Sequence, residues 1–306
     1  MYDLIIIGGG PAGVSAGVYA ARKKIKSLII VESFGGQSVV SADIQNWIGT
    51  PSISGYDLAK SMENHLRSFD GSIEIEEGER VEKVEPISGG FKVATGGGKS
   101  FETKYILLAS GSRRKRLGIP GEDKYDGKGV VFCSICDAPL FKDKEVAVIG
   151  GGNAGLEAVI DLFPYAKKIY LIVRSDAPKG DPVTLEKVKS DSRVETITQA
   201  DAEEILGGDF VTGLRYKDRP TNESRELKIE GVFVEIGAVP NSEIVKGLAD
   251  INEKGEVVAD PRTQATSNPG IWAAGDVSDV LYKQNNTSAG DAIKAVLNIY
   301  DKLIRR

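Results

Sequence analysis

Residues 3–24 read DLIIIGGGPAGVSAGVYAARKK. Leu4–Ile7 is an apolar run with the length of a buried strand. Gly8, Gly10 and Gly13 follow as G-x-G-x-x-G, with Pro11 and Ala12 inside the motif. The small residues Ala12, Ala16, Ala20 and Ala21 then suit a helix that packs close to a sheet. SLIIVE comes next as a second strand and ends at Glu32, nineteen residues past Gly13. Strand, glycine turn, helix, strand and acid in this order form the dinucleotide fingerprint with its context intact. The glycines let backbone approach a pyrophosphate, and the helix N-terminus supplies N–H donors and a positive dipole end. An acid at Glu32 can accept from a ribose hydroxyl.

The pattern returns in EVAVIGGGNAGLEAVIDLF, residues 145–163. Gly150, Gly152 and Gly155 repeat the turn, with Asn153 and Ala154 inside it, and Pro164 ends the helix. KIYLIVRS is the following strand. Nineteen residues past Gly155 stands Arg174, with Lys179 five further on. An arginine in place of the acid accommodates a ribose 2′-phosphate. The first turn therefore reads as an FAD or NAD site and the second as an NADP site. The expected fold is α/β, with two Rossmann-like three-layer dinucleotide-binding domains. Residues 89–110 carry short alternating strands between the two units, and crossovers are expected near residues 114 and 241. The first domain would comprise residues 1–114 and 242–306, split around a second at 115–241.

Composition agrees. The chain has 306 residues, 41% hydrophobic and 27% charged, which suits two ordinary globular cores. A net charge of −5 speaks against a nucleic-acid partner. No run approaches the ~18 apolar residues of a membrane span. The start MYDLIIIGGG lacks the basic region of a signal peptide, so a cytoplasmic location is expected.

FCSICDAPLF, residues 132–141, holds Cys133 and Cys136, the only two cysteines. A zinc site needs four N or S ligands, and the chain adds only His65. A structural staple gains little from so short a loop. A redox pair is the third reading, and in a reducing compartment a catalytic disulfide is the ordinary kind.

Taken together these motifs resemble the low-molecular-weight thioredoxin reductases and the related flavoprotein subunits of alkyl hydroperoxide reductase. The resemblance runs over nearly the whole chain. GGGPAG resembles the FAD pyrophosphate loop, and GGQ, with Gly36 and Gln37, the segment along the isoalloxazine. Asn46 in NWIG stands where the family has an asparagine near the flavin. ASG, Ala109 to Gly111, resembles the crossover motif, and GIWAAGDV, with Gly275 and Asp276, the second FAD signature. Lys283 and Gln284 match a pair beside the flavin pyrimidine, and GGGNAG resembles the pyridine nucleotide loop. CSICD resembles the active-site CATCD.

The resemblance implies a thioredoxin-disulfide reductase that carries electrons from NADPH or NADH through FAD to the Cys133–Cys136 pair. From there they pass to thioredoxin or a thioredoxin-like protein. It implies Cys133 as the attacking sulfur, Cys136 as the sulfur facing the flavin, and Asp137 as the acid. It also implies a homodimer and a rotation of the second domain about the two crossovers. One departure concerns the donor. NADPH members carry HRRxxxR where this chain has VRSDAPK, so Arg174 holds, Lys179 stands in for the last arginine, and Val173 and Ser175 replace two motif positions. Arg174 and Lys179 favour NADPH. Ferredoxin-fed reductases, NADH-using hydroperoxide-type reductases and dithiol oxidases are the neighbouring alternatives. A nucleotide-binding redox sensor without turnover is the non-enzymatic one. The basic run RRKR at residues 113–116 reads as a solvated hinge surface, His65 as a surface residue, and Trp47 and Trp272 as packing residues.

Overall fold

The computed structural model describes residues 1–40, 44 and 46–305, with the backbone alone at Val40 and Cys136. The chain divides into two compact units, Met1–Arg113 with Val239–Arg306, and Arg114–Ala238.

In the first unit, strands Glu74–Glu77, Ser27–Val31, Tyr2–Ile7 and Ser100–Leu108 lie side by side, all parallel. Ile271–Ala273 joins the last of these in parallel. Val81–Ile87 and Gly90–Thr95 extend it as an antiparallel meander. The first strand pairs Leu4 with Ser27 on one side and with Tyr105 on the other, so it is central. A central parallel strand is covered on both faces, which explains its unbroken apolar run. Leu4 and Ile6 face a helical core with Ala16, Ala20, Leu66, Trp272, Ala292 and Val296. Ile5 and Ile7 face the opposite side with Val84, Val93, Val245 and Val257. Each such side chain taken out of water contributes roughly 1.5–3 kcal/mol.

Helix Pro11–Arg22 starts on the glycine turn, with Gly10 as its extended cap and Pro11 where a missing N–H costs nothing. Its alanines admit the C-terminal helix Asn285–Ile304 alongside. Trp272 is fully buried, stands edge-on to Tyr105 at 5.4 Å, and donates from Nε1 to Asn298 Oδ1 at 3.1 Å. Trp47 packs against the same core.

The second unit repeats the plan. Val194–Ile197, Lys168–Ile172, Glu145–Ile149, Gly231–Val234 and Val130–Val131 form a parallel sheet. Helix Asn153–Leu162 packs on it through Leu156, Ala158, Val159 and Leu162. A three-stranded antiparallel sheet, Ala200–Gly207, Val211–Asp218 and Glu223–Leu227, covers the other face. Residues 239–241 fold with the first unit: the Asn241 N–H donates to Gly111 O and its side chain to Ser110 O.

Candidate functional site

In the first unit the chain turns from strand to helix at Gly8, whose φ of +119° suits glycine alone. A Cβ at Gly10 would meet only the Gly36 Cα at 3.8 Å, so backbone and solvent space meet there. The cleft above this turn has a volume of about 460 Å³. It gathers Gly8, Gly10, Pro11, Ala12, Glu32, Gly36, Gln37, Ala109, Gly111, Gly275 and Asp276. Gly13 lies beneath it, packed on Gly8. Glu32 is exposed at the end of its strand. Gln37 Nε2 donates to Ser112 Oγ at 2.9 Å and to Asp276 Oδ2 at 3.3 Å, so residues far apart in sequence converge. A helix N-terminus, a side-chain-free turn and an acid at the strand end fit a dinucleotide.

Asn46, Lys283 and Gln284 do not line this cleft. Asn46 Nδ2 donates to Gln284 Oε1 at 3.2 Å. Lys283 Nζ donates to the carbonyls of Asp276 and Ser278 and pairs with Glu256 Oε1 at 2.9 Å. Burial opposes ionisation of Glu256. Its hydrogen bonds to Asn252 and Lys283 outweigh that and hold its carboxyl below the usual range.

In the second unit Gly150 takes φ +140°, and a Cβ there would strike Glu235 O at 2.2 Å. The cleft here has a volume of about 1030 Å³ and is lined by Gly150, Gly152, Asn153, Ala154, Arg174 and Lys179. Gly155 is buried beneath it. The Lys179 N–H donates to Gly151 O at 2.6 Å, which ties the basic loop to the glycine turn. Arg174 extends into solvent and pairs with Asp201 Oδ1 at 3.3 Å.

Cys133 is half-buried, is disulfide-bonded, and caps the short helix Ser134–Asp137. The Cys136 side chain lies outside the described residues. Ser134 Oγ donates to Asp161 Oδ2 at 2.7 Å, so the turn is fastened to the helix that rises from the glycine loop. The Asp137 N–H donates to Cys133 O at 3.1 Å. Burial pushes the Asp137 carboxyl up to about 6. Ile135 and Leu140, either side of it in sequence, are exposed apolar side chains.

Three residues here escaped sequence reasoning. Glu235 is buried just past strand Gly231–Val234, and burial pushes its carboxyl up to about 7. Arg114, 3.9 Å away, and the Ser134 backbone N–H partly offset that. An acid inside the apolar run VFVEIG was its only signal. Asp201 and Arg219 line the second cleft and carried no signal at all. Among the basic run, Arg113 pairs with Glu243, Arg114 with Glu235, and Arg116 with Asp123 and Asp126. His65 is exposed on its helix. Among the described residues no cluster of three or more His, Cys, Asp or Glu could hold a metal ion. None of their helices is long and apolar enough to cross a membrane.

The family profile for pyridine nucleotide-disulphide oxidoreductases matches residues 2–295. The chain is 43% identical to the alkyl hydroperoxide reductase F subunit of Pseudomonas putida, over 99% of this chain. It spans 58% of that curated relative's length. Among solved structures it is similar to thioredoxin reductase of T. acidophilum, at 36% identity and a TM-score of 0.76, over 99% of each chain. It is also similar to thioredoxin reductase of Streptococcus pyogenes, at 33% identity and a TM-score of 0.81, over 100% of this chain and 99% of that one.

Proposed function

This chain belongs to the pyridine nucleotide-disulphide oxidoreductase family, and we propose that it reduces a disulfide of thioredoxin or a thioredoxin-like protein. Family members of this kind are flavoproteins that bind FAD and NAD(P)H. In this reading the split first unit takes FAD and the second takes the pyridine nucleotide. Bound FAD supplies the relay of two electrons between nicotinamide and disulfide.

The chain's own residues do the rest. The amides at the start of helix Pro11–Arg22 would hold the FAD pyrophosphate, and Glu32 would accept from a ribose hydroxyl. Once the pair at Cys133 is reduced, its thiolate attacks one sulfur of the partner's disulfide. A mixed disulfide forms and the partner's other sulfur leaves with the electron pair. Cys136 then attacks Cys133, releasing the partner as a dithiol and restoring the chain's own disulfide. Asp137 delivers the proton that a departing thiolate needs.

One observation carries this reading: a disulfide at Cys133 shares a turn with an acid poised near neutrality. That turn is also anchored to a dinucleotide-type helix through Ser134 and Asp161. A general acid works best with a pKa near the working pH. A second reading is a disulfide reductase serving a hydroperoxide-reducing system, with a different protein disulfide as acceptor. The identity to the alkyl hydroperoxide reductase F subunit supports it.

The test is anaerobic stopped-flow of the flavin-loaded protein with NADPH and NADH, followed by turnover with thioredoxin. Flavin bleaching by a pyridine nucleotide, with thioredoxin turnover lost in Cys133→Ser, is expected. Bleaching only by reduced ferredoxin or by dithiols would overturn the donor assignment. Turnover surviving in Cys133→Ser would overturn the disulfide route.

A further inference from the structure

We infer that Asp201 is the residue by which the second cleft selects NADH over NADPH, taking the part proposed for Glu32 in the first unit. The inference rests on the proposed use of this cleft for the pyridine nucleotide.

The fingerprint places an acid at the end of the second strand, and in this unit that position holds Arg174. The acid arrives instead from the neighbouring sheet. The Ala200 N–H donates to Val173 O at 3.1 Å, and the Gln199 N–H to Ser175 O at 3.0 Å. The Arg219 N–H donates to Gln199 O at 2.9 Å. These backbone bonds set Asp201 between two arginines. Its Oδ1 lies 3.3 Å from Arg174 Nε and accepts from Arg219 Nη2 at 3.2 Å. Its Oδ2 accepts from Arg219 Nε at 2.6 Å. All three side chains line the cleft.

The two guanidinium groups that would greet a 2′-phosphate therefore already hold a carboxylate. A phosphate brought to the same place adds close to two negative charges beside a fixed one. Juxtaposed like charges are a strong device for rejecting a wrong partner. A 2′-hydroxyl meets no such repulsion and can donate to the carboxylate. Lys179, exposed in the same cleft, adds a positive charge that attracts either nucleotide, so the inference concerns only the choice that Asp201 makes between the riboses.

The test uses the flavin-loaded protein and two probes that lack the nicotinamide, adenosine 5′-monophosphate and adenosine 2′,5′-bisphosphate. Calorimetric titration gives their affinity ratio for the wild type and for Asp201→Asn, which keeps the side chain's shape. Asp201→Ser serves as a second variant should the first fail to fold. The wild type is expected to favour the monophosphate. Each variant should shift the ratio about tenfold toward the bisphosphate, and kcat/KM for NADPH over NADH should move the same way. A wild type that prefers the bisphosphate, or a ratio unchanged in the variants, overturns the inference while leaving the cleft's assignment standing. Binding of neither probe, with no flavin bleaching by either nucleotide, overturns the assignment itself.

Discussion

The carbonyl oxygen of Gly8 occupies the space a side chain on Gly13 would need: a Cβ there would stand 1.8 Å from it. Gly155 and Gly150 repeat the relationship at 1.9 Å. In both units the third glycine is what allows the helix to close on the strand, and the helix N-terminus is thereby aimed at the cleft. Overpacking of this kind costs roughly 1–3 kcal/mol, and here the clash is with backbone. Gly155→Ala is expected to keep the flavin colour and lose rapid bleaching by the nucleotide donor. Gly13→Ala is expected to purify with little flavin. Absorbance at purification and stopped-flow bleaching check the two outcomes separately.

Asp137 leads to a pH prediction. Its carboxyl is raised to about 6 by burial, so it keeps its proton well above the ordinary aspartate range. A group that must donate a proton loses that ability as pH climbs through its pKa. Disulfide turnover should therefore fall across a limb centred near pH 6. Asp137→Asn should abolish that limb and slow turnover by roughly 100-fold or more. The pH profile of kcat with a thioredoxin acceptor, measured in both proteins, decides it. An unchanged limb in the variant would remove Asp137 from the acid role.

Glu235 bears on stability. Burial is the chief cause of its rise to about 7, with Asp161 and Glu157 adding to it and Arg114 and the Ser134 N–H opposing. The folded form holds the proton more tightly than the unfolded chain does. This site's contribution is accordingly intact below the unfolded value near 4.5 and is lost as pH rises to about 7. Glu235→Gln cannot ionise, yet its amide oxygen can still accept from Ser134. The variant should be more stable than the parent at pH 8, by about 1–3 kcal/mol, and equal to it at pH 4.5. Urea titrations at the two pH values test this, and equal midpoints at pH 8 would refute it.

Much of the site was legible because nucleotide turns are local. Gly8, Gly10, Gly13 and Glu32 lie within one strand–helix–strand run, so their spacing alone carries the geometry. The same holds for Gly150 to Gly155 and for the placing of Asp137 one turn from Cys133. Arg174 was found at the right position by counting, but the count could not show what the side chain holds. Asp201 and Arg219 reach it from strands that pair antiparallel, and their meeting depends on that register. Lys283 pairs with Glu256, a residue with no motif of its own, and that partnership was not legible in the sequence.

By itself the sequence determined two dinucleotide folds in one chain, their order, and a cysteine pair lodged in the second. Short-range spacing and apolar runs suffice for these, because backbone sterics and burial act over a few residues. Tertiary structure alone decided the ion pairs and buried acids of the second unit. Which carboxylate neutralises Arg174 and which acid is buried until it titrates near neutrality both depend on desolvation and distance. These are set only when distant strands come together.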